Sequence, residues 1–211
     1  MRVLELFSGT GTLAKVAAEM GHAVTTVDSD KACGADISCD VADLVGVPGR
    51  WDMVWASPPC ESFSVASIGT HWGGGKGAYV PKTEQAQEAL RLIDALATFI
   101  SESMPIVWYI ENPRGVMRKV APYESIPGFH VRHTVTYCQY GDTRMKPTDI
   151  WTNDFLWVPR QACHNNDSCH EAAPRGSATG TQGRGTYLER SCLPEELCRE
   201  IVLSAEEMCR V

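Results

Sequence analysis

Apolar residues along the chain fall into short runs separated by stretches of helical spacing, an order that predicts strands alternating with helices. Arg2 to Phe7 alternates and is rich in β-formers; Ser8-Gly-Thr-Gly-Thr12 then leads into a helical pattern from Leu13 to Met20, which Gly21 ends. Ala23 to Val27 reads as a second strand closing on Asp28, and Trp51 to Ala56 as a short apolar one. Thr83 or Glu84 opens a long helix to about Ser103, with Ala86, Ala89, Leu90, Ile93, Leu96, Ala97 and Ile100 on its core face. Ile106 to Ile110 is apolar on both faces, as a central strand requires; Val131 to Tyr137 alternates; Pro194 to Met208 carries Leu197, Ile201, Val202 and Ala205 as an amphipathic helix. Pro159 to Gly185 has little periodicity and much Gly, Ser, Thr and Arg, so it reads as a loop-built insert. The whole predicts an α/β, doubly wound, Rossmann-like sheet: a body over 1–153, a small insert over 154–190, and a helix over 191–211 that packs back on the body.

In such a sheet ligands collect at the carboxyl ends of the strands, and several chemically loaded residues fall there. Gly9 and Gly11 permit a sharp turn and a close backbone approach to a ligand, although a tight turn alone would also use them. Asp28, seventeen positions beyond Gly11, sits where a carboxylate accepts the hydrogen bonds of a ribose diol. No third glycine follows at the spacing a pyrophosphate needs, which favours a nucleoside cofactor such as S-adenosylmethionine over a dinucleotide. Asp40, near a third strand end, either reaches an adenine amino group or caps a helix. Cys60 stands just past a strand end behind Pro58 and Pro59, which cannot continue a buried ladder, so its thiol is offered to a cleft; the alternative is an ordinary buried cysteine. Glu111, stiffened by Asn112 and Pro113, is either a second catalytic group facing that thiol or a solvated loop residue. Gly69 to Gly77 holds five glycines and reads as a mobile lid or a plain connector.

Composition narrows the setting. A chain of 211 residues can bury a core without disulfides, and its nine cysteines, an odd number with no secretory leader before them, point to a reducing cytoplasm. No apolar run approaches the length of a membrane helix. The net charge of −7 is uneven: residues 1–111 carry 7 Lys/Arg against 14 Asp/Glu, whereas 112–190 carry 10 against 7, eight of the ten being arginine. A nucleic-acid face on an acidic body fits that asymmetry. Two Cys-His pairs, Cys163-His164 and Cys169-His170, are candidate zinc ligands with Cys138 able to replace one, or else ordinary loop residues.

Taken in order, Phe7-Ser-Gly-Thr-Gly11, Ser57-Pro-Pro-Cys60-Glu-Ser-Phe-Ser64 and Glu111-Asn-Pro113 resemble the DNA cytosine-5 methyltransferases, most of all compact phage-encoded members. The resemblance covers 1–153 well and Arg190 to Ile201 more loosely. It implies S-adenosylmethionine as methyl donor (S-adenosylhomocysteine as product), held by Phe7, Gly9, Gly11, Thr12, Leu13, Asp28, Asp40 and Pro58. It also implies Cys60 as nucleophile and Glu111 as acid, with double-stranded DNA presenting a flipped cytosine as partner. The chain departs from the family pattern at Glu61, where Gln is usual, and at Pro113, where Val is usual. The second arginine of a later motif is Thr148, leaving Arg144 or Lys146 as the substitutes that complete the catalytic set. The usual Gly-Asn motif is missing, and so small a recognition region implies a short DNA site or help from a second subunit. Three other readings remain: an amino-group methyltransferase, a methyltransferase acting on RNA or a free pyrimidine nucleotide, and a catalytically silent DNA-binding protein.

Overall fold

The computed structural model describes residues 1–44, 50–74, 77–128, 130–172, 189 and 191–211. In chain order its elements are β1 (Arg2–Leu6), α1 (Thr12–Glu19), β2 (Ala23–Asp28), β3 (Ile37–Ser38), β4 (Met53–Ala56), α2 (Ile68–His71), β5 (Trp72–Gly73), β6 (Val80–Pro81), α3 (Glu84–Ser103), β7 (Val107–Pro113), α4 (Met117–Val120), β8 (Val131–Thr136), β9 (Pro147–Thr152) and α5 (Glu195–Met208), with short 3-10 turns between. Seven strands make one sheet in the order β3-β2-β1-β4-β7-β9-β8. The first five in that order are parallel; β9 pairs antiparallel with both β7 and β8, so β9 runs against the sheet and β8 runs with the first five.

The period of two sorts the strand residues onto two cores. Leu4, Leu6, Val54, Ala56, Trp108 and Ile110 face α3, whose Ala86, Ile93, Leu96 and Ile100 are buried against them. Val3, Met53, Trp55, Val107 and Tyr109 face the other way, onto Leu13, Val16 and Ala17 of α1 and Leu197, Ile201 and Val202 of α5. Helices thus cover both faces, as the doubly wound reading predicts. Thr83 caps α3 by accepting from the Ala86 N–H at 3.2 Å, a contact of about 1 kcal/mol. The chain leaves β1 toward β2 and β3 and re-enters on the opposite side as β4, so a crevice opens at the carboxyl ends of β1 and β4.

Two sequence expectations change here. The strand expected to stop at Ile110 continues through Glu111, Asn112 and Pro113, because β9 pairs with it in the stretch where β4 has ended. β9 escapes a hydropathy reading because its central Asp149, fully buried, is ion-paired to Arg118 and bonded by the Thr134 hydroxyl at 2.7 Å. The glycine-rich stretch is also less free than its composition implies. Trp72 is buried, stacks on Phe63 at 5.9 Å and donates to the Ser62 carbonyl at 2.6 Å, while β5 and β6 form a small hairpin; Gly75 and Lys76 lie outside the described residues.

The packed body also runs past Asn153. Asp154 is fully buried, accepting from the Tyr109 hydroxyl at 2.5 Å and the Ser204 hydroxyl at 2.6 Å, and Trp157 joins the core beneath α5. Of the loop-built insert, 173–188 and Arg190 lie outside the described residues.

Beyond Pro113 the chain passes so close to the segment after Cys60 that a Cβ on Gly115 would stand 2.0 Å from the Phe63 carbonyl oxygen. Ser64 bridges Gly115, and the Val116 N–H donates to Phe63 at 2.8 Å. Gly115→Ala is therefore expected to destabilise the fold by about 1–3 kcal/mol, the usual cost of forced overpacking. Urea denaturation checks it, and an unchanged midpoint would contradict the close approach.

Candidate active site

A cavity of about 500 Å³ occupies the crevice at the strand ends, within the range of small-ligand sites. One wall is the turn after β1. Phe7 adopts φ +56°, Gly9 +49° and Gly11 +64°, a left-handed sequence that a non-glycine residue adopts only under constraint. At Gly11 an added Cβ would meet no atom within 4 Å, so glycine is needed there for its backbone angle and not for crowding. Phe7, Ser8, Thr10 and Thr12 line the cavity from this side.

The opposite wall is built from β4 and β7. Past Ala56 the chain is held by the Ser57 N–H on the Leu6 carbonyl (3.2 Å) and by the Trp55 indole on the Ser57 hydroxyl (2.8 Å). Pro58 and Pro59 follow, and the Cys60 carbonyl accepts from the N–H groups of Phe63 and Ser64, both at 3.1 Å, closing a tight turn with Phe63 as its buried anchor. The fully buried Asn112 donates from Nδ2 to the Pro58 carbonyl at 3.0 Å. One strand therefore positions Glu111 and, through its neighbour Asn112, steadies the loop that carries Cys60. Pro58, Cys60, Glu111, Arg144 and Lys146 all line the cavity, together with Pro113.

Electrostatics at this wall are set by burial and one ammonium group. Burial pushes the Glu111 carboxyl above its ordinary range, against the opposing pull of Lys146 and a hydrogen bond from the Tyr137 hydroxyl at 2.9 Å. Burial also pushes the Cys60 thiol up, the Glu111 charge adds to it, and Lys146 opposes. Lys146 itself has φ +26° and places its ammonium 4.6 Å from the centre of the Tyr137 ring. Both Cys60 and Glu111 are thereby shifted toward their protonated, neutral forms relative to exposed groups of the same kind.

Other expected residues stand elsewhere. The Leu13 side chain is fully buried in the α1 core, so only its backbone can meet a ligand. Asp28 braces the turn, accepting from the Gly9 N–H at 2.9 Å and from the Asp30 N–H at 2.8 Å. Asp40 caps a 3-10 turn through the Ala42 N–H (2.8 Å) and pairs with Arg91, which is the capping alternative. Neither aspartate is among the cavity-lining residues. Arg144 is held by Asp142, and Arg118 and Arg160 are tied to Asp149 and to Glu196 and Glu200, so three arginines of the basic middle serve the fold. Thr148 is fully buried, meets the Tyr137 hydroxyl and is not among the cavity-lining residues. Of the proposed metal ligands, Cys163, Cys169 and His170 come together with Cys138, while His164 points away with its side chain 81% exposed.

Several lining or supporting residues carry no sequence signal of their own: Tyr137, Gly115, Ser191 and Leu193. Glu5 could have been noticed as a carboxyl inside an apolar alternation. It lines the cavity at 2% exposure, accepts the Ala14 N–H at 3.0 Å at the start of α1, and is pushed by burial up to about 8.

The sheet order, the helices on both faces and the cavity at the reversal point define a Rossmann-like methyltransferase fold of the kind that uses S-adenosylmethionine. Two solved structures share it: a protein assigned as a DNA modification methyltransferase, encoded within an E. coli prophage (18% identity, TM-score 0.52, 72% of this chain and 46% of that one), and the Entamoeba histolytica methyltransferase EhMeth (11%, 0.52, 82% and 58%). The chain spans about half the length of these structures. A relative from Frog virus 3 (isolate Goorha), named a probable DNA (cytosine-5)-methyltransferase, is 31% identical over 175 residues, covering 80% of this chain and 78% of the relative. The chain belongs to the DNA (cytosine-5)-methyltransferase family of enzymes. No family model matches it.

Glu5 gives a pH prediction. Its proton is held in the folded state up to about 8 but released by the unfolded chain from about 4.5, so between those values the native state binds more protons. Stability is expected to be highest below that window and to fall as pH rises through it, by at most about 5 kcal/mol from this group. Glu5→Gln should flatten the decline in denaturant titrations at several pH values; an identical profile would remove Glu5 from the account.

Proposed function

We propose that this protein methylates C5 of cytosine in double-stranded DNA through a covalent bond between Cys60 and C6 of the base. The observation that carries the reading is the shared cavity, in which a lone thiol and a buried carboxyl line one wall and the left-handed turn after β1 lines the other. Its volume and the open backbone at Gly11 fit a nucleoside cofactor. S-adenosylmethionine, when bound, supplies an electrophilic methyl group.

The residues divide the remaining work. C5 of cytosine is a poor nucleophile until a thiolate adds across the 5,6 double bond. Cys60 forms the new sulfur–carbon bond at C6, and the displaced electron pair makes C5 enamine-like. Negative charge grows toward N3, where Glu111 offers its proton. Burial favours the protonated carboxyl that this role requires. The Tyr137 hydroxyl keeps Glu111 oriented, and Lys146, which lines the same cavity and favours the Cys60 thiolate, would meet a carbonyl oxygen of the base. The Cys60 proton passes to solvent before attack; after methyl transfer water takes the C5 proton, the C5–H electron pair re-forms the 5,6 double bond, the thiolate is expelled and the N3 proton returns to Glu111, so both groups are regenerated. The edge of a stacked cytosine cannot reach so recessed a thiol, so the base must be rotated out of the duplex into the cavity. The nine free cysteines fit a reducing compartment such as the cytoplasm of a bacterial or phage-infected cell, and no helix of the described residues is long and apolar enough to cross a membrane.

Duplex DNA carrying 5-fluorocytosine tests the covalent step, because fluorine cannot leave as a cation and elimination is blocked. With S-adenosylmethionine present, a stable protein–DNA adduct is expected on denaturing gels, and peptide mapping should place it on Cys60. Cys60→Ala should form none, and Glu111→Gln should form it more slowly by roughly 10²–10⁴. An adduct-free native protein that still methylates DNA, or an active Cys60→Ala variant, would point to an exocyclic amino group instead.

A further inference from the structure

We infer that Cys138, Cys163, Cys169 and His170 bind one zinc ion, which pins the start of the insert to the turn that holds Tyr137. The four residues come from two distant stretches, Cys138 lying 25 positions before Cys163. Their ligand atoms nevertheless all lie within 4.8 Å of one another. The Sγ atoms of Cys138 and Cys169 are 3.6 Å apart, and His170 Nδ1 is 3.7 Å from the Cys163 sulfur and 3.6 Å from that of Cys169. Zinc–sulfur bonds of about 2.3 Å and zinc–nitrogen bonds of about 2.0–2.1 Å at tetrahedral angles put sulfurs roughly 3.8 Å apart and sulfur from nitrogen roughly 3.6 Å. Three of the spacings already match that figure. Another of the six, Cys138 to Cys163 at 3.1 Å, is far beyond a disulfide bond of about 2.05 Å and would open slightly around an ion.

The chemistry of the set points to the same metal. Three thiols and an imidazole are soft and borderline ligands, suited to zinc and unsuited to magnesium or calcium. Binding would deprotonate the three thiols and leave the site with one net negative charge, and neighbouring groups answer it. Gln139 Nε2 donates to the Cys169 sulfur at 3.2 Å, and the Cys163 N–H is fixed on the Thr136 hydroxyl at 3.0 Å. Supporting contacts of this kind orient ligands in metal sites. The segment builds no core of its own: Pro159 to Ala172 forms no strand or helix, and within Ala162 to Ala172 only Cys163 is buried, while Arg160 at one end is tied to Glu196 and Glu200 and the Glu171 N–H at the other donates to the Thr143 carbonyl at 2.9 Å. Such a segment gains its fixed shape from a staple and not from a core.

The staple has a position relative to the proposed chemistry. Cys138 directly follows Tyr137, whose hydroxyl holds Glu111 and whose ring carries Lys146. A zinc ion there would hold that turn while the insert starts from a fixed point beside it. It would be structural, with all four positions filled by protein and none open to substrate.

Elemental analysis of the full chain purified without added metal is expected to give about one zinc per chain. Cobalt in its place should show the visible bands of a tetrahedral ion with thiolate charge transfer. Cys169→Ser and His170→Ala should lose that spectrum, whereas Cys33→Ser and His164→Ala should keep it. Gln139→Ala should weaken zinc binding by about 10–100-fold while leaving the ion tetrahedral. If the single-ligand variants do not fold, the cobalt spectrum of the unaltered protein decides. Well under one zinc per chain, a cobalt spectrum without thiolate bands, or a Cys138–Cys163 disulfide found by mass spectrometry would overturn the assignment. None of these readouts depends on methyl transfer, so failure of the zinc site and failure of the proposed reaction are separable.

Discussion

The antiparallel pairing of β9 with the far half of β7 is the constraint on which the site depends. β4 ends at Ala56, and without a new partner β7 would end beside it. Ile150, Asp149 and Thr148 instead pair with Glu111, Asn112 and Pro113, so an acid is carried past the parallel sheet while remaining in a ladder. A side chain on a paired strand is held more exactly than one on a loop. From that extension follow the grip of Asn112 on the Pro58 carbonyl and the approach of Gly115 to Phe63, which together fix the cysteine loop against the same strand. The support is itself polar: Asp149 lies inside the sheet with Arg118 against it, and removing Arg118 would leave the fully buried Asp149 without its ion partner, a loss of about 3–5 kcal/mol.

The second organising feature is a contest between burial and one positive charge. Burial favours the neutral forms of both Cys60 and Glu111, and Lys146 favours the charged form of each. Burial prevails in both groups. In the proposed reaction that outcome suits Glu111 as a proton donor and is a cost to Cys60 as a nucleophile, which Lys146 reduces without removing. Tyr137 joins the two halves of the contest, its hydroxyl on Glu111 and its ring beneath the Lys146 ammonium. A single aromatic residue thereby fixes the acid and the cation relative to each other.

Much of this was legible in the chain, for reasons that can be stated residue by residue. The two hydrophobic periods are clean in β1, β4, α3 and α5 because those elements bury apolar side chains only, apart from Glu5 and Ser204. The cysteine behind two prolines and the acid before Asn-Pro stand out because strand ends are where a doubly wound sheet exposes chemistry. β9 was not legible, since its buried Asp149 and Thr148 imitate a polar loop and reveal a strand only once Arg118 and Thr134 are placed beside them. Trp72 escaped notice because five surrounding glycines dominate the local pattern, yet one indole on the Ser62 carbonyl is enough to order it. The arginines of the middle region read as a ligand face by composition, but composition cannot say that Arg118, Arg144 and Arg160 already have carboxylate partners. Long-range gathering of Cys138 with the later ligands was likewise a matter of topology: β8 ends beside the insert, and no spacing rule encodes that.

If the extension of β7 sets Glu111 and the half-buried Cys60 to work in one cavity as proposed, carbon and not nitrogen of the base is methylated. Incubating the protein with duplex DNA and S-adenosylmethionine labelled in its methyl group, digesting to nucleosides and separating them by mass and retention measures this directly. The label is expected in 5-methylcytosine, with RNA and free cytidine nucleotides unlabelled. Label on the cytosine N4 or adenine N6 amino group, or on RNA or free nucleotide in preference to duplex DNA, would contradict it.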